Sequence, residues 1–235
     1  MPDAINHLCD SREPDAVSEM IGAIAPRYDL ANHILSCGCD FYWRNRAAEI
    51  VAGWRPKQII DLATGTGDLA LLLQKKVTEA NVTGADFSNK MLAIAKEKGL
   101  TQTVFADILR LPFPNDSFDC ITISFGLRNV QDWPAALGEM LRILERGGHL
   151  LILEFSLPQS SILRVMYRFY LHHCLPLIGS ALTKKKNAYD YLGESIERFP
   201  NGEDMVGLIK RSGFAHACVQ PLTGGIVSIY TAEKT

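Results

Sequence analysis

The sequence predicts an α/β fold built on a doubly wound, mostly parallel, seven-stranded sheet, with an antiparallel last strand and a helical insertion. Three observations carry that reading. From residue 58 to 155 short apolar runs alternate with helical patterns, and strands joined by right-handed helical crossovers produce that alternation. The first run, Ile59-Ile60-Asp61-Leu62-Ala63, opens into Thr64-Gly65-Thr66-Gly67-Asp68 before a helical stretch that begins at Leu69. Glycines let a backbone turn this sharply and still admit a ligand at close range. Such a strand, turn and helix place a nucleoside-containing cofactor at the carboxyl end of a parallel sheet. Late in the chain, strand-like runs at 218–222 and 226–232 flank Thr223-Gly224-Gly225, a hairpin signal that turns the last strand antiparallel.

Taken in order, Pro14 opens a helical pattern with Val17, Met20, Ile21 and Ile24 on one face. A second pattern follows Asp40, with Trp43, Ala47, Ile50, Val51 and Trp54 in one stripe. Together they predict a helical cap over residues 1–56. Strands are expected at 58–63, 81–87, 103–106, 118–125 and 149–155, and helices at 91–98 and 134–144. Between 156 and 199 the alternation stops. Ser160 or Ser161 can cap a helix whose Ile162, Val165, Met166, Phe169 and Tyr170 share a face, while Arg164, Arg168 and His172 fall elsewhere and Lys184-Lys185-Lys186 follows. Residues 157–200 are therefore expected to form an insertion or lid over the top of the sheet, near the ligand, within a single domain spanning 1–235. Its apolar stripe has two readings: core against the sheet, or the wall around an apolar ligand that also touches lipid.

With 235 residues, 47% of them apolar and 21% charged, the chain can close one large core. A net charge of −2 gives no reason to expect nucleic acid. No apolar run is long enough to span a membrane, and residues 1–7 lack the basic and apolar blocks of a signal peptide. The six cysteines are scattered, and Cys37-Gly38-Cys39 has no second pair at metal spacing. Reduced thiols in a cytoplasmic protein without a metal are the expectation.

The glycine turn fits two cofactors. Gly65-Thr66-Gly67-Asp68-Leu69-Ala70 matches the dinucleotide pattern G-x-G-x-x-A, which alone favours an NAD-dependent oxidoreductase. The rival is S-adenosylmethionine. A dinucleotide brings two phosphates to the helix N-terminus, where Asp61 and Asp68 would repel them. S-adenosylmethionine carries no phosphate, and its cationic sulfonium and ammonium gain from nearby carboxylates. Two further acids support it. Asp86 ends the second strand, where an acidic side chain takes both ribose hydroxyls. Asp107 ends the third beside Ile108, suiting the adenine amine with an apolar neighbour for the ring.

Taken together these residues resemble the C-methyltransferases of menaquinone and ubiquinone biosynthesis, within the class I S-adenosylmethionine-dependent methyltransferases. The resemblance runs over nearly the whole chain: Tyr28-Asp29-x-x-Asn32-x-x-Leu35-Ser36 with Trp43, the run from Ala106 to Pro114, Phe118-Asp119-Cys120-Ile121-Thr122, Phe125-Gly126-Leu127-Arg128-Asn129-Val130, Arg142-Ile143-Leu144-x-x-Gly147-Gly148, Glu154-Phe155-Ser156, and Tyr189-Asp190-Tyr191-Leu192. It departs at Ala31 and Asp40, where Met and His are usual, and at Glu145 and Arg146, where Lys and Pro are usual. The resemblance implies that Thr66, Asp86, Asp107, Ile108 and Ser124 contact S-adenosylmethionine and that Asp61, Gly65 and Gly67 shape the loop.

It implies further that the substrate is a prenylated quinol, methylated on a ring carbon by in-line displacement. Demethylmenaquinol is the first expectation; the ubiquinone precursor, or another lipid or phenol, is the alternative. Carbon becomes nucleophilic only when the neighbouring hydroxyl loses its proton, so the ring must be held about 3–3.5 Å from the methyl and deprotonation assisted. Arg128 suits stabilisation of the developing oxyanion and Asn129 orientation of the hydroxyl, although Arg128 can equally be a structural ion pair. His33, Tyr28 and Tyr189 are base candidates. A tailed quinol resides in lipid, which implies peripheral contact with the inner face of the cell membrane. No residue selects an oligomeric state or a tail length.

Overall fold

The computed structural model describes residues 33, 35–178 and 186–235, the last segment with side chains from 191 onward. The expected helix around 17–24, together with Tyr28, Ala31, Lys184, Lys185 and the side chain of Tyr189, lies outside the described residues. Helix α1 (Cys39–Trp54) leads into β1 (Gln58–Leu62), α2 (Asp68–Lys76), β2 (Asn81–Asp86), α3 (Asn89–Glu97) and β3 (Gln102–Phe105). Then come β4 (Phe118–Ser124), α4 (Trp133–Ile143) and β5 (Leu144–Phe155). Helix α5 (Ser161–Phe169) runs on through a π-helical turn, Tyr170–Cys174. The chain closes with α6 (Lys186–Arg198), α7 (Glu203–Arg211), β6 (Ala215–Leu222) and β7 (Val227–Glu233).

The seven strands form one sheet in the order β3-β2-β1-β4-β5-β7-β6. β7 runs antiparallel to both of its neighbours, and the other pairings are parallel. The chain winds outward from β1 through β2 to β3, then crosses back to β4 on the other side of β1. The strand order therefore reverses between β1 and β4, and ligands of doubly wound sheets bind outside the carboxyl ends at that point.

Strand composition follows from burial on both faces. In β1 every residue after Gln58 is buried, because helices cover the sheet on each side. Ile60, Leu62, Ile121 and Ile152 point into one core with Leu137 and Met140 of α4 and Ile209 of α7. Ile59, Cys120 and Leu151 point into the other, with Ala47 and Val51 of α1 and Leu69 and Leu73 of α2. Each fully buried aliphatic side chain contributes about 1.5–3 kcal/mol. Local caps agree with these helices. The Ser88 hydroxyl accepts from Met91 N at the start of α3, and Asp132 accepts from Ala135 N at 2.9 Å at the start of α4.

Three elements differ from the sequence-based expectation. α7 carries acids in its first turn and bases in its last, with Met205, Val206 and Ile209 buried; this dipole-matched pattern is legible once sought. β5 begins at Leu144 rather than 149: Leu144 pairs with Phe118 and His149 with Cys120, and Gly147-Gly148 fall in the bulge between them. On α5, Ile162, Val165, Met166 and Phe169 are exposed, and the packed face is instead Tyr167 with Leu171 beyond it. The stripe is not core.

The loop after β3 carries Asp107 and Ile108 and is stapled by Arg142 of α4. Its guanidinium donates to the carbonyls of Leu111 (3.0 Å) and Phe113 (2.7 Å) and to Glu139 (2.8 Å); Glu139 in turn accepts from Leu111 N at 2.9 Å. Arg142→Ala should lower stability by about 1–3 kcal/mol and weaken S-adenosylhomocysteine binding through the loosened loop, measured by urea unfolding and calorimetry.

Candidate active site

At the carboxyl ends of β1, β2 and β4 lies a cavity of about 740 Å³, within the size range of small-molecule sites. Gly65 (φ 57°) and Gly67 (φ 86°) take left-handed conformations in the turn after β1. A Cβ at Gly67 would come within 3.1 Å of Ala95 Cβ on α3, whereas one at Gly65 would meet nothing. The first glycine thus presents bare backbone to the cavity, and the second lets α2 pack closely on α3. Four non-glycine residues on the cavity wall also hold positive φ: Cys37 at 51°, Ala63 at 48°, Phe125 at 56° and Thr223 at 48°. Ala63 and Phe125 directly follow the adjacent strands β1 and β4. Such strain, of order 1–3 kcal/mol each, is characteristic of functional sites, and no sequence pattern announces it.

Gly65, Thr66, Asp86, Asp107, Ile108, Ser124, Arg128 and Asn129 all border the cavity. The Asp86 carboxylate accepts from Gly65 N and from Ser88 N, each at 2.8 Å. Each oxygen has a further lone pair for one hydroxyl of a vicinal diol. Burial raises the Asp86 carboxyl above the ordinary range, against the pull of these amides. Asp107 accepts from Leu109 N at 2.9 Å, which aims the next residue, Ile108, at the cavity.

Asp61 and Gly67, expected to shape the loop at the cofactor, do not border the cavity themselves. Asp61 is fully buried beneath the turn, where its two oxygens accept from the hydroxyls of Thr64 (2.7 Å) and Thr122 (2.6 Å). Burial pushes it up to about 6, against those two hydrogen bonds. Asp68 takes the exposed side of the turn instead, bordering the cavity and paired with Lys98 at 2.8 Å. Asp40, which the sequence left without a role, also borders the cavity. It is buried and accepts from Ser36 Oγ (2.7 Å) and Arg44, with His33 Nδ1 at 2.7 Å. Burial works to raise the Asp40 carboxyl, but Ser36, Arg44 and His33 together lower it.

Among the described residues, the charged ones on the wall are Asp40, Asp68, Asp86 and Asp107 against Arg44 and Arg128, with no lysine. This set fits the cationic S-adenosylmethionine and opposes a pyrophosphate, whose nearest helix N-terminus carries Asp68. The Asp86 oxygens would hold the ribose, Asp107 and Ile108 the adenine, and Gly65, Thr66 and Ser124 the remaining wall.

Arg128 is buried in an ion pair. Its Nη1 lies 2.8 Å from Glu154 Oε1 and also donates to Phe125 O, its backbone N–H donates to Glu154 Oε2 at 3.2 Å, and the guanidinium sits 5.2 Å over the Phe155 ring. Glu154 is the residue that sequence reasoning passed over, and a lone acid closing the apolar run 150–153 was the available signal. Asn129 Oδ1 accepts from Tyr191 OH at 3.4 Å. Away from the acids the cavity is walled by Trp43, Phe125, Phe155, Tyr167, Tyr170, Leu171 and Leu175, among others. The helices of the insertion supply Tyr167, Tyr170, Leu171 and Leu175 of this apolar half, and α1 and the ends of β4 and β5 supply Trp43, Phe125 and Phe155.

Fold and site together define an S-adenosylmethionine-dependent methyltransferase. A solved S-adenosylmethionine-dependent methyltransferase of Thermotoga maritima superposes with a TM-score of 0.66 over 93% of this chain and all of that one, at 18% identity. Phosphoethanolamine N-methyltransferase 2 of Haemonchus contortus, solved with S-adenosylmethionine, gives 0.57 over 76% of this chain and 48% of its own, at 15% identity. The chain belongs to the ubiE/COQ5 methyltransferase family, whose model matches residues 8–234. It is 44% identical to the demethylmenaquinone methyltransferase of Thermus thermophilus, over 92% of this chain and 100% of that protein. To the ubiquinone/menaquinone biosynthesis C-methyltransferase UbiE of Geobacter sulfurreducens it is 39% identical, over 94% of this chain and 89% of that one. The dinucleotide alternative falls away.

Two outcomes follow from this geometry. Asp86→Ala should weaken S-adenosylhomocysteine binding by about 2–3 kcal/mol, while wild type gives no heat with NADH in the same calorimeter. Asp61 is protonated in both states below 3.8, and only the folded state keeps the proton between 3.8 and about 6. The stability it confers is therefore complete below 3.8 and lost as pH rises through about 6. Because asparagine cannot ionise, the stability of Asp61→Asn relative to wild type should improve by up to about 3 kcal/mol between acidic and neutral pH, read from urea midpoints.

Proposed function

We propose that the protein methylates a ring carbon of a prenylated quinol, demethylmenaquinol first and 2-methoxy-6-polyprenyl-1,4-benzoquinol as the alternative. The observation that carries this reading is the continuity of one cavity, from an acid-lined end suited to a cationic cofactor to an apolar, aromatic end suited to an isoprenoid-bearing ring. The names of the Thermus thermophilus and Geobacter sulfurreducens relatives support it. When bound, S-adenosylmethionine supplies the electrophilic methyl group.

The chain's own residues do the rest. Asn129 borders the cavity beside Arg128 and can orient the ring hydroxyl through its amide. Arg128 offsets the negative charge that appears on that oxygen as its proton leaves. Its ion pair with Glu154 holds the guanidinium in place and moderates its field. Tyr167 and Tyr170 border the cavity but are not bases: burial pushes Tyr167 well above the ordinary phenol range and Tyr170 up to about 12. Tyr170 donates to Leu35 O at 2.8 Å, tying the segment before α1 to the insertion. The aromatic walls exclude water from the reacting carbon. No helix among the described residues is long and apolar enough to cross a membrane. A substrate carrying an isoprenoid tail resides in lipid, and on this reading the enzyme reaches it by peripheral contact with the membrane.

With S-adenosylmethionine and a chemically reduced quinol, one methyl group should appear on demethylmenaquinol by mass spectrometry. Asn129→Ala should lower the single-turnover rate about 100-fold with S-adenosylhomocysteine affinity retained. The paired change Arg128→Met with Glu154→Gln, which leaves no buried unpaired charge, should be slowed comparably. Methylation of neither quinol, or an unchanged rate in both variants, would remove this reading.

A further inference from the structure

We infer that the outer face of α5 is a docking surface for an anionic lipid bilayer, placed so that the apolar end of the cavity opens beside the membrane. The inference rests on the quinol reading, since it names how a tailed substrate would be reached. On α5, Ile162, Val165, Met166 and Phe169 are 75%, 69%, 64% and 60% exposed. At about 100° per residue they form a single stripe along the helix. Soluble surfaces carry apolar residues singly; an aligned set of four is a patch that marks a contact. Exposure of large apolar side chains continues past the π-helical turn at Leu177 and Ile178.

One edge of the stripe meets the cavity. Leu163 and Met166 border it, with Tyr167 and Tyr170 further round the same helix. A single helix thus forms both the inner wall of the apolar chamber and the outer apolar face. The opposite edge is basic, with Arg164 and Arg168 both exposed. Arg168 and His172 share Glu197 of α6, at 2.9 and 3.3 Å.

Charge decides between occupants. Residues 155–189 contain no aspartate or glutamate, yet hold Arg164, Arg168, Lys184, Lys185 and Lys186, in a chain whose overall charge is −2. A second copy packed antiparallel on α5 by two-fold symmetry would bring Arg164 and Arg168 beside their own counterparts. An anionic leaflet attracts them, while the stripe enters the acyl boundary as amphipathic helices do.

The test is flotation with quinol-free vesicles, either neutral or about one-third phosphatidylglycerol, at roughly 0.1 M salt. Wild type should float with the anionic vesicles, less with neutral ones, and release as salt is raised. The double variant Ile162→Asp with Phe169→Asp changes two exposed residues outside the cavity wall. It should bind vesicles at least about tenfold more weakly, with melting temperature and S-adenosylhomocysteine affinity retained. Its turnover of tailed quinol in vesicles should fall by a similar factor, and its turnover of a short-tailed quinol in solution should not change. The inference is overturned if wild type does not float, if the variant floats as well, or if sedimentation shows that the variant converts a wild-type dimer to monomer. Flotation without turnover of either quinol would instead overturn the substrate reading and leave the surface standing.

Discussion

A buried carboxylate between two threonines holds the centre of this molecule together. Asp61 is the penultimate residue of β1, Thr64 lies in the turn that follows, and Thr122 lies on the neighbouring β4. The Thr122 bond crosses the point where strand order reverses and the Thr64 bond holds the turn, so together they fix how the cofactor turn sits against the strand that leads to Arg128. Nothing apolar could replace this group without leaving two buried hydroxyls unpartnered, each costing about 1–3 kcal/mol. Strain at Ala63 and Phe125 is sustainable only because the strands beneath are clamped this way. A Cβ on Gly126 would sit 2.5 Å from that of Ala63, which shows how tightly the two strand ends meet.

Electrostatics then sorts the acids by task. Asp61 is shielded from the cavity and shapes the backbone. Asp86 sits at the boundary, with one lone pair per oxygen committed to the turn and another turned outward. Asp40 and Asp68 face the cavity but are tied to Arg44, His33 and Lys98. The wall is therefore acidic without accumulating unpaired buried charge, which would cost several kcal/mol per group. A cationic cofactor meets a field that is already arranged, and two phosphates would have to displace it.

Much of this was legible beforehand because each signal was local. The strand-turn-helix at Ile59 to Leu69, the acids ending the second and third strands, and the hairpin at Thr223 to Gly225 depend on a few adjacent residues. What stayed hidden depends on distance in space. That Asp61 lies under the turn and Asp68 at its rim is a matter of side-chain direction, and both read alike as acids bracketing glycines. Glu154 is separated from Arg128 by 26 residues, and their pairing comes from the parallel registration of β4 and β5. The cluster around Asp40 joins residues of a helix start, whose carboxylate alone reads as a helix cap.

Helix α5 shows the limit of periodicity most clearly. Its apolar residues occupy two faces: Tyr167 and, beyond it, Leu171 pack inward with Leu175 and Ile196, and Ile162, Val165, Met166 and Phe169 point outward. A 3.6-residue period identifies a stripe but not the medium that stripe meets. In an ordinary surface helix the second face would be polar, and here the polar residues Arg164 and Arg168 are confined to the remaining edge. A helix that is apolar inside and out, basic along one edge and without acids has two apolar environments to satisfy. The cavity is one of them. The other lies on the outer face among the described residues, and the basic edge beside it, Arg164 and Arg168, suits an anionic surface.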